Sequence, residues 1–228
     1  MNKGVYILGT DTDIGKTFIS GLLLRKLRSD GINAGYYKAA LSGAEVIDGR
    51  LVPTDCKEVC AIGNLNEDYE NMVSYVLKNP YSPHLACEFE NVDISLEKIK
   101  SDYLRSRERY DFLICEGSGG SICPISLGKE KIMLIDIVKL TKLPIVLVSR
   151  SGLGAINHTV LTLKYLSGKG IKIAGIILNE FEENNIIHRN NKETIKLITG
   201  INNIVTVPRI NNIDNFDLNN LQEVFNEL

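Results

Sequence analysis

Short, continuous apolar runs alternate along this chain with longer stretches in which apolar residues recur every three or four positions. Val5 to Leu8, Asn33 to Lys38, Asp111 to Glu116, Pro144 to Val148, Ile173 to Leu178 and Ile204 to Val207 make up the short class and predict strands. After the first of them, Ile19, Leu22, Leu23 and Leu27 fall at helical spacing and Asp30-Gly31 supplies a stop signal, so a helix is predicted from Gly15 to about Asp30. Thr54 can cap a short helix to about Ile62, and Ser95 starts one to Glu108 in which Ile99, Tyr103 and Leu104 recur at helical steps. Further helices are predicted over 132–143, 155–169, 184–199 and 218–228. Residues 64–92 are the least regular part, with Asn79 to Pro83 as a rigid break before a short helix near His84 to Phe89. Ser42-Gly43 and Gly117 to Ser121 read as loops and Asp48-Gly49 as a turn.

Strands that are apolar throughout, separated by helices, call for a sheet covered on both faces. The expectation is therefore an α/β fold, a doubly wound, mostly parallel sheet with helices on both faces; a phosphate-binding loop after its first strand, Gly9 to Thr17, would make it one of the P-loop NTPase type. With no linker or internal repeat, residues 1–228 are expected to form one domain.

The first strand runs into the stretch with the most chemistry. Gly9 and Gly15 bound a loop, Lys16 and Thr17 follow, and Phe18 leads into the amphipathic run. Triphosphate oxygens need backbone N–H groups unobstructed by side chains, a cation, and a hydroxyl for Mg²⁺; Gly9, Gly15, Lys16 and Thr17 offer these. At a helix N-terminus, unpaired N–H groups and the positive end of the dipole both favour phosphate. The usual pattern places about four residues between the glycines, whereas Thr10 to Ile14 make five. A tight strand-to-helix turn with a solvated lysine would use the same glycines, but the flanking strand and helix favour the phosphate loop.

In a parallel α/β sheet, groups just past the carboxyl ends of the strands are the ones that can converge on a ligand. That filter selects Thr12, Asp13, Lys16 and Thr17 after the first strand, Lys38 and Ser42 after the second, Glu116 after the third and Asn179 after the fifth. Asp55, at the head of its short helix, is a candidate for the same cluster. Two carboxylates and the Thr17 hydroxyl would hold Mg²⁺, which prefers a few protein oxygens with water and phosphate completing the octahedron. Asp55 taken singly reads better as a helix-start residue. Glu116 closing an apolar strand would be buried at real cost unless a cation met it, which favours a metal role. Lys38 is either a snorkelling surface lysine or a second cation that offsets charge developing in phosphoryl or carboxyl transfer.

Charge narrows the partner. The 228 residues carry 26 Lys plus Arg against 28 Asp plus Glu, so no basic excess points to nucleic acid. No apolar run is long enough to span a bilayer, and the N-terminus lacks a signal-peptide pattern, so a cytoplasmic protein acting on a small molecule is expected. Cys56, Cys60, Cys87, Cys115 and Cys123 are odd in number and include no C-x-x-C, which fits reduced thiols.

Taken together, the motifs resemble those of one family, the dethiobiotin synthetases, ATP-dependent carboxylases that close the ureido ring in biotin synthesis. The resemblance covers nearly the whole chain. Gly9 to Thr17 is similar to that family's loop of five-residue spacing, Tyr37 to Gly43 to its lysine and serine segment, and Thr54-Asp55 to its metal aspartate. Asn79 to His84 is similar to its substrate-side loop, Glu116 to Gly120 to its glutamate-glycine loop, and Gly152 to Thr159 and Leu178-Asn179 complete the series. The resemblance implies a homodimer in which the partner subunit completes each diamine site. It places Thr12, Lys16, Lys38 and Ser42 at the reacting centre, and Thr17, Asp55 and Glu116 on Mg²⁺. Asn157, at a helix start, would reach the substrate carboxylate across the dimer. Asn179 would read adenine, with Gly9, Asp13, Ile14, Gly15, Lys16, Thr17, Phe18, Glu116 and Pro208 also at the nucleotide.

The implied reaction takes 7,8-diaminononanoate, CO₂ and ATP: one amine becomes a carbamate, ATP phosphorylates it to a mixed anhydride, and the second amine closes the ring. No covalent protein nucleophile is needed. His84 and His158 flank the expected site as structural histidines, and His188 is expected to be solvated. Two departures stand out: Ala39 follows Lys38 where the family often has proline, and Asp13 stands where some members have glutamate.

The rival reading is a nucleotide switch of the partitioning or division-site type. Such proteins usually carry an additional lysine near the loop start, where this chain has Thr10 and Asp11, and the membrane-binding ones end in a basic amphipathic helix. The run from Asp217 to Leu228 has no Lys or Arg. A corrin-type amidase, with a similar loop, would need a glutaminase domain for which this chain is too short.

Overall fold

The computed structural model describes residues 4–226. In chain order its strands are β1 (Gly4–Gly9), β2 (Ala34–Ser42), β3 (Glu45–Ile47), β4 (Arg50–Val52), β5 (Val73–Leu77), β6 (Phe112–Gly120), β7 (Pro124–Leu127), β8 (Lys131–Met133), β9 (Ile145–Arg150), β10 (Ile173–Asn179) and β11 (Ile204–Val207). The helices are α1 (Lys16–Ser29), α2 (Thr54–Gly63), α3 (Pro83–Glu90), α4 (Leu96–Arg109), α5 (Leu134–Thr141), α6 (Ala155–Gly168) and α7 (Ile186–Thr199). Seven strands form one sheet in the order β11-β10-β9-β1-β6-β2-β5, and every neighbouring pair in it is parallel. Two small antiparallel hairpins, β3-β4 and β7-β8, stand outside it.

The continuous apolar strands are explained by what covers them. Successive residues of a strand face opposite sides. Tyr6 and Leu8 pack with Ile99 of α4, Ile137 of α5, Leu163 of α6 and Ile195 of α7. Val5 and Ile7 pack on the other face with Ile19, Leu22 and Leu23 of α1, Val59 of α2, and Leu221 and Val224 of a 3-10 turn at Leu218–Phe225. Ile19, Leu22, Leu23 and Leu24 of α1 are fully buried, each worth about 2 kcal/mol of transfer free energy.

Several boundaries differ from those expected. Strand β2 runs through Lys38 to Ser42, and β6 through Glu116 to Gly120, because both find parallel partners along that length. Lys38 and Glu116 therefore lie within strands, paired in register with each other, and Ala39 is a strand residue rather than part of a loop. Strand β5 lies inside the stretch read as irregular; its half-buried Ser74 and Tyr75 interrupt the apolar pattern. Ile132 belongs to β8, and α5 begins at Leu134, where the Asp136 carboxylate accepts from the Met133 N–H at 2.9 Å. Pro53, not Thr54, is the N-cap of α2. The terminal helix is a 3-10 turn; positions 227 and 228 of the expected helix lie outside the described residues. All five cysteines are free thiols, and among the described residues no helix is long and apolar enough to cross a membrane.

Candidate active site

Strand β1 delivers the chain to Gly9, and α1 takes it up at Lys16, so the loop between them sits at the carboxyl end of the sheet. Gly15 lies at φ +86°, and a Cβ there would meet the Asn179 side-chain nitrogen at 2.3 Å. Asp13 is left-handed as well, at φ 55°, a conformation that Asp tolerates better than most residues. Two side chains from neighbouring strand ends hold this turn from behind. Arg150 Nη2 donates to the Asp13 carbonyl at 2.9 Å, and Asn179 Nδ2 donates to the Ile14 carbonyl at 3.0 Å. The fifth residue of the loop is accommodated by burying Ile14 in the α1-side core while Asp11, Thr12 and Asp13 stay exposed.

Lys16 arcs back over the loop, its Nζ donating to the Asp11 carbonyl at 2.8 Å. Burial foremost, and the nearby Lys38 ammonium next, hold its pKa below the ordinary lysine value.

Beneath the loop lies a buried charge cluster. Lys38 Nζ is 2.5 Å from Asp55 Oδ2 and 2.8 Å from Glu116 Oε1, and Thr17 donates to the same Oε1 at 3.0 Å. Glu116 Oε2 accepts from Ser20 at 2.8 Å and from the Tyr36 hydroxyl at 3.1 Å. The sheet explains this convergence. On the α1 face, alternate positions of β2 present Tyr36 and Lys38, their register partners Ile114 and Glu116 do the same from β6, and α1 lays Thr17 and Ser20, one turn apart, over them. Burial works to lower the Lys38 pKa, but Glu116 and Asp55 outweigh it and hold the ammonium well above its usual value. Burial, reinforced by Glu116, pushes the Tyr36 phenol up, so it stays a neutral donor.

Asp55 Oδ2 and Glu116 Oε1 meet at the Lys38 ammonium, and the Thr17 hydroxyl adjoins the same Glu116 oxygen, so three hard oxygens lie close together. That donor set fits the oxygen-only preference of Mg²⁺.

Beside the loop opens a cavity of about 860 Å³ walled by Thr12, Asp13, Ser42, Tyr81, Ser118 and Tyr165, among others. The structure therefore brings Lys16, Thr17, Lys38, Asp55 and Glu116 into one buried cluster and Thr12, Asp13 and Ser42 onto the cavity wall next to it. Phe18 is half-buried in the first turn of α1 and packs against the core on that side. Asn157 is exposed in the first turn of α6, outside this cavity, and Pro208 is exposed just past β11 beside a separate hollow of about 470 Å³. His84 keeps a buried Nδ1 without a partner among the described residues. His188 is half-buried rather than solvated, its Nδ1 accepting from the Glu182 N–H at 3.0 Å. Sequence reasoning missed Ser20, Tyr36 and Arg150. The first two carried a signal: Ser20 is one turn beyond Thr17 and Tyr36 two residues before Lys38, each on the face of a residue already singled out.

The family described as AAA domain matches residues 3–216. The sheet superposes on solved P-loop proteins: the MinC:MinD cell division complex of Aquifex aeolicus (TM-score 0.55, 14% identity, 92% of this chain and 82% of that one) and a plasmid partition protein of Borrelia burgdorferi bound to AMPPNP (TM-score 0.57, 14% identity, 98% of each). At that identity the likeness is one of fold, a parallel α/β sheet covered by helices on both faces. Sequence similarity goes further. The ATP-dependent dethiobiotin synthetase BioD of Clostridium perfringens is 64% identical over 224 residues, 98% of both chains, and that of Clostridium novyi is 49% identical over 229 residues, 100% of this chain and 95% of the relative. The chain belongs to the dethiobiotin synthetase family.

Proposed function

We propose that this protein is an ATP- and Mg²⁺-dependent dethiobiotin synthetase that carboxylates 7,8-diaminononanoate with CO₂ and closes the ring. The observation that carries the reading at the site is the cluster of Lys38, Glu116, Asp55 and Thr17 beneath the Gly9 to Lys16 loop, with a cavity large enough for a nine-carbon diamine beside that loop. On nucleotide binding, Lys16 exchanges the Asp11 carbonyl for phosphate oxygens, and the N–H groups at the start of α1 meet the same anion. Thr17, Asp55 and Glu116 would hold Mg²⁺, which would supply positive charge to offset that on the transferred phosphoryl group. Lys38, an ammonium held by Glu116 and Asp55, would offset the negative charge that develops on the carbamate as the mixed anhydride forms. Ser42 and Thr12, on the cavity wall, position the diamine so that its second amine lies close to the activated carbonyl; that proximity, rather than a protein nucleophile, drives closure. Asn179 and Pro208 lie on the adenine side.

The diamine carboxylate is met by Asn157 of a second subunit in a cytoplasmic homodimer. Asn157 is exposed, as are Leu153 (88%) and Leu161 (59%) four residues before and after it, apolar surface suited to a symmetric contact. The test is ADP release with Mg²⁺ and bicarbonate, with and without 7,8-diaminononanoate. Stimulation by the diamine is expected; a rate indifferent to it sinks the synthetase reading and leaves a nucleotide switch.

A further inference from the structure

Glu116 is 1% exposed and its two carboxylate oxygens are treated differently. Oε1 meets the Lys38 ammonium and the Thr17 hydroxyl. Oε2 meets two other hydroxyls, those of Ser20, fully buried on α1, and Tyr36, fully buried on β2. A carboxylate can rotate about its last bond and can offer a cation one oxygen or both. With Oε2 held by two neutral donors approaching from the helix and from the sheet, rotation is blocked and only Oε1 remains to be offered. Both donors are rigid: Tyr36 is a strand residue enclosed among core side chains, and Ser20 sits in the second turn of a packed helix.

We propose that Ser20 and Tyr36 are positioning residues for the metal site. They fix Glu116 so that it presents Oε1 alone, on the side where the Lys38 ammonium sits, and so set the affinity for the divalent cation without touching it. The proposal rests on the reading of Glu116 as a metal-site carboxylate. Outer partners of metal-site carboxylates typically change affinity by about 10- to 100-fold when removed.

Ser20→Ala and Tyr36→Phe each delete one oxygen and little else. Mn²⁺ as the probe, titrated into the full chain with ADP bound and followed by the paramagnetic resonance of free Mn²⁺, is expected to bind at least about 10-fold more weakly to either variant. Nucleotide affinity in EDTA should stay within about twofold, and turnover at saturating Mg²⁺ should largely recover, so the half-saturating Mg²⁺ concentration rises while kcat is retained. A role in folding alone would lower kcat or the melting temperature and leave the Mn²⁺ affinity of the folded protein unchanged. Glu116→Gln separates the two levels of the argument. If Glu116→Gln weakens Mn²⁺ binding while both hydroxyl deletions leave it within about twofold of the parent, the positioning proposal is overturned and the metal role of Glu116 stands. If Glu116→Gln leaves Mn²⁺ binding unchanged, the metal reading fails and this proposal fails with it.

Discussion

Replacing Lys38 with methionine tests the charge cluster directly. The parent side chain is 5% exposed and that of Glu116 is fully buried, so Lys38→Met leaves Glu116 with three neutral hydroxyl donors and no buried countercharge beside it. Breaking a buried pair from one side costs about 3–5 kcal/mol. Asp55, 27% exposed, can re-solvate and adds little. For a domain of this length each kcal/mol moves the melting temperature by about 2–4 °C, so Lys38→Met should melt roughly 6–20 °C below the parent when metal and nucleotide are absent. Adding Glu116→Gln removes the stranded charge and should restore most of the loss. The pH dependence has a definite sign. The folded Lys38 pKa lies above its unfolded value, so its stabilisation is fully present below the unfolded lysine value, about pH 10.4, and is lost only as pH rises through the still higher folded value. The gap between parent and Lys38→Met should therefore stay constant from about pH 6 to 9. Thermal melts in EDTA decide it. A variant that melts within about 2 °C of the parent, or a double variant that regains nothing, would refute the claim that Lys38 compensates the buried carboxylate.

Other expectations follow from the same geometry. Gly15→Ala puts a Cβ at 2.3 Å from Asn179 in a left-handed turn, so nucleotide binding measured by calorimetry should fall below detection while the chain stays folded. Arg150→Ala frees the Asp13 carbonyl and should weaken nucleotide binding by about 10-fold, the scale of one charge-assisted hydrogen bond, with a smaller loss for Arg150→Lys. Burial alone would raise the Glu67 carboxyl, but hydrogen bonds from Tyr110, Arg109, Asn71 and the Asp68 N–H outweigh it and hold the pKa at about 2. Its contribution is thus present above the ordinary carboxylate range and lost as pH falls toward 2; discounted for the solvated Arg109, it is on the order of 1 kcal/mol. Acid denaturation of Glu67→Gln should lack that increment, and curves that coincide with the parent's would rule it out.

Much of this protein is local in origin. Apolar runs too continuous for a half-exposed strand require cover on both faces, so the alternation of strands and helices already implied a parallel α/β sheet. The loop from Gly9 to Thr17 likewise follows from adjacent residues, because a strand-to-helix turn is built from one stretch of backbone. The five-residue spacing, ambiguous as chemistry, gains its account in three dimensions: Ile14 turns into the core and Arg150 and Asn179 hold the two carbonyls beside it. What lies between distant segments was decided by tertiary structure. Lys38 and Glu116 read as strand-closing residues because glycines and small residues follow them, yet both strands continue, since parallel partners supply backbone hydrogen bonds that composition does not reveal. That continuation puts the two side chains in register within the sheet, and only there do Ser20 and Tyr36, unremarked in a linear reading, become the groups that take up the second oxygen of Glu116. Sequence names the residues able to bear charge; the register of β2 against β6, and the lie of α1 over them, decides which charge each one meets.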